Sequence, residues 1–326
     1  MAGGAPRGVP WWTEAVGVGV PTETHADRRD AADARQTQET HKAQHPRSTY
    51  AAAVVRDVLR GKMADGLVEP PLGSAGPWMG AAGEGEDDDA VPLPWEIPLG
   101  VLHDALAPRD ANDDADADDG EEVRPIRSGE SPWALRFRPL APPKALPAYP
   151  ASLAAEDSVE ALAPTRIAFF MALKEACFCT TGGTQAVARM PLAKQDAAFR
   201  AALAGDAEAC EDALSEVADA MRAGAWARKR VPLRIVGRAA TEDGAGARSV
   251  VVSRAAPVGD VDALVGVRAA AKGAVRDSDL RVDDDAELVI AGVVVNGEEL
   301  SVWHAWECLR SVDGFLYVAV RSAPGR

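Results

Sequence analysis

Apolar positions recur along this chain with two different periods. From residue 165 to about residue 224 the spacing is three and four, as in packed helices. After Arg228-Lys229-Arg230 it becomes two, as in strands. The most apolar helical stretch is TRIAFFMALKEACFCT, residues 165–180. Phe169, Leu173 and Cys177 fall at i, i+4 and i+8. Ile167, Phe170, Met171 and Phe178 form a second apolar line, which Lys174 continues. Pro164 with Thr165 as N-cap predicts the start, and Thr180-Thr181-Gly182-Gly183 the stop. A helix apolar on most sides is expected to be buried among other elements, and Lys174 is then its odd charge. Burying an ammonium without a partner costs several kcal/mol. Either the lysine stem packs while the amine reaches the rim or pairs with Glu175 or another acid, or the amine is used chemically. From composition alone the rarity of buried lysine favours the first reading.

Before this helix the pattern is weaker. Residues 11–20 alternate as a strand, residues 21–46 are polar and read as a loop or insertion, and residues 51–60 form a short amphipathic helix with Val54, Val55, Val58 and Leu59 inward. Strands are expected at 76–82, 91–95 and 133–140, with a helix at 97–107 and a proline-rich connector at 139–150. Residues 192–204 and 206–223 continue the helical middle. Strands at 231–236 and 248–254 follow, joined by TEDGAGAR. Then come a helix at 260–271 with Asp260 as N-cap, a strand at 287–295 and a hairpin turn at Asn296-Gly297 leading to a strand at Glu299–Val302. A short helix holding Trp303, Trp306 and Leu309 and a last strand at 315–320 complete the chain. The C-terminal order β-β-α-β-β-α-β is that of a ubiquitin-like β-grasp lobe, and the N-terminal part reads loosely the same way. The predicted class is α+β: two ubiquitin-like β-grasp domains flanking a helix-rich domain. Residues 1–10 are expected to be a flexible N-terminus, 11–149 the first lobe with acidic insertions at 84–90 and 108–130, 150–228 the helical middle, and 229–322 the second lobe.

Charge changes the picture only locally. The formal charge is −15, but of the 50 acids 13 lie in residues 84–89 and 110–122, leaving 37 against 35 Lys and Arg. The body is close to neutral, the acidic runs read as solvated insertions, and a nucleic-acid partner is disfavoured. Cys177, Cys179, Cys210 and Cys308 have neither disulfide nor zinc spacing, and no apolar run reaches the roughly 18 residues of a membrane span. A reduced, cytosolic setting is expected.

Other chemistry is thin. Thr181-Gly182-Gly183-Thr184 lacks the Gly-Lys-Ser/Thr ending of a phosphate loop and reads as a helix stop. His41 and His45 lack a third metal ligand, and neighbouring His103 and Asp104 do not face each other on a helix. No catalytic constellation, metal site or cofactor site is expected. Trp303 and Trp306 are expected to pack on the C-terminal sheet.

FFMALKEA (169–176), VPLPWEIPLGVLHDAL (91–106), VPLRI (231–235) and ELSVWHAWECLRSVDGFLYVAV (299–320) occur in this order, and together they resemble the autophagy protein five family over most of residues 47–322. The family's usual Trp-x-Gly-x-Ile-Pro opening strand is replaced here by Trp12-Thr13-Glu14-Ala15-Val16-Gly17. The resemblance implies a protein that is not itself an enzyme. Lys174 would be its isopeptide acceptor, joined to the C-terminal glycine of a ubiquitin-like modifier, autophagy protein twelve, by modifier-specific activating and conjugating enzymes. It implies a coiled-coil partner, autophagy protein sixteen, and a ligase-like complex that promotes lipidation of another ubiquitin-like protein. The setting would be cytoplasmic, with peripheral contact at the pre-autophagosomal (phagophore) membrane. The alternative is an adaptor whose ubiquitin-like lobes bind partners without covalent attachment.

Overall fold

A computed structural model of the chain describes residues 15–21, 40–51, 53–54, 56–58, 78–81, 91–107, 124–125, 133–138, 162–240, 247–260 and 263–321. The expected flexible N-terminus, both acidic runs and the proline-rich connector at 139–150 lie outside the described residues.

The N-terminal strands are β1 (Ala15–Pro21), β2 (Thr40–Pro46), β3 (Trp78–Ala81), β4 (Val91–Pro92), β5 (Arg124–Pro125) and β6 (Trp133–Arg138). Residues 51, 53–54 and 56–58 are helical and mark the first helix, α1, and α2 is Leu99–Leu106. The first sheet runs β2-β1-β6-β3-β4. Within it β1 is antiparallel to β2 and parallel to β6, in register Val18↔Trp133. The C-terminal strands are β7 (Arg230–Ala240), β8 (Ala247–Pro257), the short pair β9 (Gly259–Asp260) and β10 (Ala263–Leu264), then β11 (Glu287–Ile290), β12 (Val293–Val295) and β13 (Leu316–Arg321). Their sheet runs β5-β12-β11-β13-β7-β8, with β7 antiparallel to β8 and parallel to β13. Leaving β5 aside, both sheets have the same order: second strand, first, last, third, fourth. A parallel pair between the first and last strands needs a long crossover, and this ordering is the ubiquitin-like β-grasp arrangement. The α+β class expected from the sequence is thus present.

In the chain, between β6 and β7, come α3 (Ala163–Thr181), α4 (Gln185–Ala188), α5 (Leu192–Ala204) and α6 (Ala207–Arg228). Helix α3 packs on α6 and on β7, while α7 (Val267–Val275) and α8 (Val302–Leu309) also pack on β7. With helices packed on it, β7 is buried almost along its length, in keeping with VPLRIV, which is apolar at every position but Arg234. Helix α6 approaches α3 closely at Gly224, where a Cβ would come 2.8 Å from the Thr180 carbonyl oxygen. Gly224→Val is therefore expected to push the helices apart and destabilise by about 1–3 kcal/mol, read as a lower urea midpoint; an unchanged midpoint would contradict this packing.

The structure corrects several expectations. Helix α3 starts at Ala163, with Leu162 as N-cap, and Thr165 is buried in its first turn. Residues 40–46, expected within a polar loop, form edge strand β2, which pairs through its backbone and so needs no apolar alternation. Residues 124–125, within the insertion assigned to the first lobe, pair instead with β12 of the second sheet. The helix expected from Asp260 starts only at Val267. Gly259, at φ +84°, allows a tight turn into β9–β10, and the Val265 N–H donates to the Val258 carbonyl. The expected single strand at 287–295 breaks at Ala291 and Gly292, whose φ values of 60° and 80° make the hairpin turn there rather than at Asn296-Gly297. Ser301 is no strand residue; it caps α8 by accepting from the His304 N–H at 3.2 Å. Trp303 and Trp306 are buried beside the sheet as expected.

Candidate functional site

Helix α3 keeps two apolar faces but buries only one. Phe169, Phe170, Leu173, Ala176 and Cys177 turn inward, and Phe169 meets Phe199 of α5 at 5.8 Å between ring centroids. The other line is in solvent: Ile167 is 61% exposed, Met171 58% and Phe178 57%. The expectation of a helix buried on most sides therefore fails on this line, although Phe170 does go in. Lys174 sits on the exposed line, half-buried, seven residues after Ile167, three after Met171 and four before Phe178. Large exposed apolar groups in a row mark interaction surfaces more often than isolated ones do.

The chain has seven lysines, and the structure describes the side chains of Lys174, Lys194, Lys229 and Lys272. Lys194 pairs with Glu216 at 3.1 Å, Lys272 pairs with Asp284, and the Lys229 amine lies 3.7 Å from the Trp226 ring centre. Among the described residues Lys174 has no ion pair, hydrogen bond or ring contact of this kind. Glu175, its expected partner, is engaged elsewhere. Its Oε2 accepts from Arg234 Nη2 at 2.9 Å and its Oε1 from Ser253 Oγ at 2.7 Å. Sequence reading missed this pairing; the one signal was an arginine between the buried Leu233 and Ile235 of β7.

Arg234 is the hub of a polar cluster beneath α3. Its Nη1 donates to Tyr317 Oη at 3.0 Å, Tyr317 Oη donates to Asp313 Oδ2 at 2.6 Å, and the guanidinium carbon lies 3.8 Å from the Phe315 ring centre. Burial works against the guanidinium charge, but Tyr317, Asp313 and Glu175 more than offset it, so Arg234 stays charged. Burial pushes the Asp313 carboxyl up from the usual range, against the opposing pull of Arg234 and Tyr317.

The remaining candidates fall away. Gly182 adopts φ +79° with its N–H on the Phe178 carbonyl, so Thr181-Gly182-Gly183-Thr184 is the helix stop it was expected to be. His103 Nδ1 does approach Asp104 Oδ1, to 3.6 Å, contrary to expectation, but this is beyond hydrogen-bond range. Burial raises the Cys179 thiol and pushes Cys210 up to about 12, away from nucleophile chemistry. A crevice of about 180 Å³ lined by Arg189, Met190, Pro191, Lys194, Glu216 and Val217 does not include Lys174. Among the described residues no group of three His, Cys, Asp or Glu side chains is placed to hold a metal ion, and no helix is long and apolar enough to cross a membrane.

No protein-family model matches the chain, and no curated protein does. Solved structures do match. The crystal structure of Kluyveromyces marxianus Atg5 superposes with a TM-score of 0.62 over 95% of this chain and 97% of that one, at 18% identity. A likeness that spans both chains end to end, at so low an identity, speaks for architecture: this chain has the α+β, ubiquitin-like fold of Atg5.

Proposed function

We propose that the chain is a non-catalytic autophagy protein that becomes joined through Lys174 to a ubiquitin-like modifier, autophagy protein twelve. With the coiled-coil autophagy protein sixteen, the conjugate would act as a ligase-like complex promoting lipidation of another ubiquitin-like protein. The observation that carries this reading is Lys174 itself, a lysine without a described partner at the centre of an exposed apolar line. The Atg5 fold supports the same reading.

The chemistry is aminolysis. The neutral Lys174 amine attacks the thioester carbonyl linking the modifier's terminal glycine to the conjugating enzyme's cysteine. A C–N bond forms, the C–S bond breaks, and the thiolate leaves. The proton lost by the amine passes to solvent. The flanking Ile167, Met171 and Phe178 offer the modifier an apolar seat, which holds the amine and carbonyl together for longer than chance encounter would. No residue of this chain needs to act as acid, base or nucleophile beyond Lys174. The working division is a first lobe at 11–149, a helical middle at 150–228 and a second lobe at 229–322, in a cytoplasmic protein that meets the phagophore membrane peripherally.

The test is reconstitution. Incubating the chain with the modifier, its activating and conjugating enzymes and ATP is expected to give a covalent adduct of one chain and one modifier that survives boiling with reductant. A complex that dissociates under those conditions would replace this reading with the non-covalent adaptor. A second expectation concerns the apolar seat: replacing Met171 and Phe178 together by serine should raise the KM for the charged conjugating enzyme by about tenfold, with kcat little changed; an unchanged KM would rule the seat out.

A further inference from the structure

Hydrophobic burial alone does not decide which face of α3 meets solvent. The inward line of Phe169, Phe170, Leu173 and Cys177 and the outward line of Ile167, Met171 and Phe178 are both apolar. One residue's step around a helix is about 100°, so a rotation of that size would exchange one apolar line for another and carry Lys174 with it. The close approach of α6 restrains only the C-terminal end of α3, at Thr180; along the rest of the helix polar contacts can break the tie. Arg166 Nη2 meets Asp196 Oδ1 of α5 at 2.8 Å in the first turn. Near Lys174 the tie is Glu175, whose two oxygens are taken by Arg234 of β7 and Ser253 of β8.

We propose that Glu175, gripped by Arg234 and Ser253, is the positioning residue that sets the rotation of α3 and so presents Lys174 and its apolar line to solvent. An isolated surface ion pair holds little, because both side chains must be ordered to form it. Arg234 is different: its side chain is 11% exposed and already fixed by the Tyr317 hydroxyl, by Asp313 at 3.9 Å and by the Phe315 ring. It meets Glu175 pre-ordered, as a bracket on the sheet, and Ser253 adds a second point so that the carboxylate cannot swivel. Polar groups used this way specify one arrangement among several of similar apolar burial, the role best attested for them in helix registry. The inference rests on the reading of Lys174 as the acceptor, since it says what that side chain is turned outward for.

The experiment is amine labelling of the full-length chain with an N-hydroxysuccinimide acetate, read by mass spectrometry as the rate at Lys174 relative to Lys194 in the same sample. Labelling follows the population of outward-facing Lys174. Glu175→Leu, which adds apolar surface and removes the grip, is expected to lower the Lys174 rate about tenfold and the rate of conjugation in parallel. Glu175→Gln, whose amide oxygen can still accept from Arg234 while its amide N–H donates to the Ser253 hydroxyl in place of accepting from it, should restore labelling to within about twofold of wild type. Loosening without rotation would raise Lys174 labelling in both variants, and that result overturns the proposal, as does wild-type labelling in Glu175→Leu. Should Glu175→Leu fail to fold, Ser253→Ala leaves α3 untouched and is expected to lower labelling about threefold; no change there overturns the proposal equally. A Lys174→Arg chain that still conjugates would remove the acceptor reading while leaving the labelling result standing, so the two failures are distinguishable.

Discussion

Lys174→Arg is expected to abolish adduct formation, lowering the discharge of charged modifier onto this chain by at least about a hundredfold. The reason is protonation rather than shape. Aminolysis needs a lone pair on nitrogen, and a guanidinium does not lose its proton in a protein, whereas a lysine ammonium does so readily enough to act. The charge and most of the stem are kept, and Lys174 is half-exposed with no ion pair among the described residues. Surface changes of this kind shift stability by no more than about 0.5 kcal/mol, so the melting temperature should move by less than about 2 °C. Arginine at Lys194, Lys229 or Lys272 should leave the adduct intact, because those amines already face Glu216, the Trp226 ring and Asp284. A normal adduct from Lys174→Arg, by gel and by mass, would place the acceptor elsewhere and end the present reading.

What the sequence could and could not say follows from the range of the interactions. The helix bearing Lys174 was legible because its period, its flanking proline and its glycine stop all lie within a few residues of it. Which of its faces is wet was not legible: Phe169, Phe170, Met171 and Phe178 are equally apolar on paper, and Glu175, whose two oxygens are tied to the sheet, meets Arg234 and Ser253 across 59 and 78 positions. The order of the second lobe was legible from period-two runs, but its hairpin was displaced to Asn296-Gly297. That pair looks like a turn, while Ala291 pays a left-handed φ that a sequence pattern assigns to glycine or asparagine. Strand β2 was hidden for the opposite reason: THKAQHP carries no alternation, because an edge strand is recruited by backbone hydrogen bonds. The same gap between local and distant information governs the joint between the two sheets.

That joint predicts the largest effect on stability, at Asp104. All of α2 is buried, and Asp104 is 2% exposed with three separate dependants. Arg47 Nη2 donates to its Oδ1 and, at 3.0 Å, to the Gly100 carbonyl. The Gly292 N–H at the strained β11–β12 turn donates to its Oδ2 at 2.9 Å, and Arg321 at the end of β13 donates to its main-chain oxygen. One carboxylate thus ties the segment before α1 to a hairpin of the other sheet. Asp104→Ala removes the buried carboxylate that Arg47 and the Gly292 N–H both donate to, which is expected to cost about 3–5 kcal/mol and lower the melting temperature by roughly 10 °C. The pH dependence separates charge from packing. Burial alone would raise the Asp104 carboxyl, but Arg47 beside it holds the group below the usual carboxylate range. A carboxyl depressed in the folded state adds stability that is fully present above its unfolded value of about 4 and is lost as pH falls through the lower native value. Asp104→Asn, which keeps the shape and cannot titrate, should therefore lie well below wild type in urea at pH 7, with the gap narrowing steadily as pH drops below about 4. A gap that stays constant with pH would mean that Asp104 acts through its neutral hydrogen-bond geometry and that the charge it pairs with Arg47 contributes nothing.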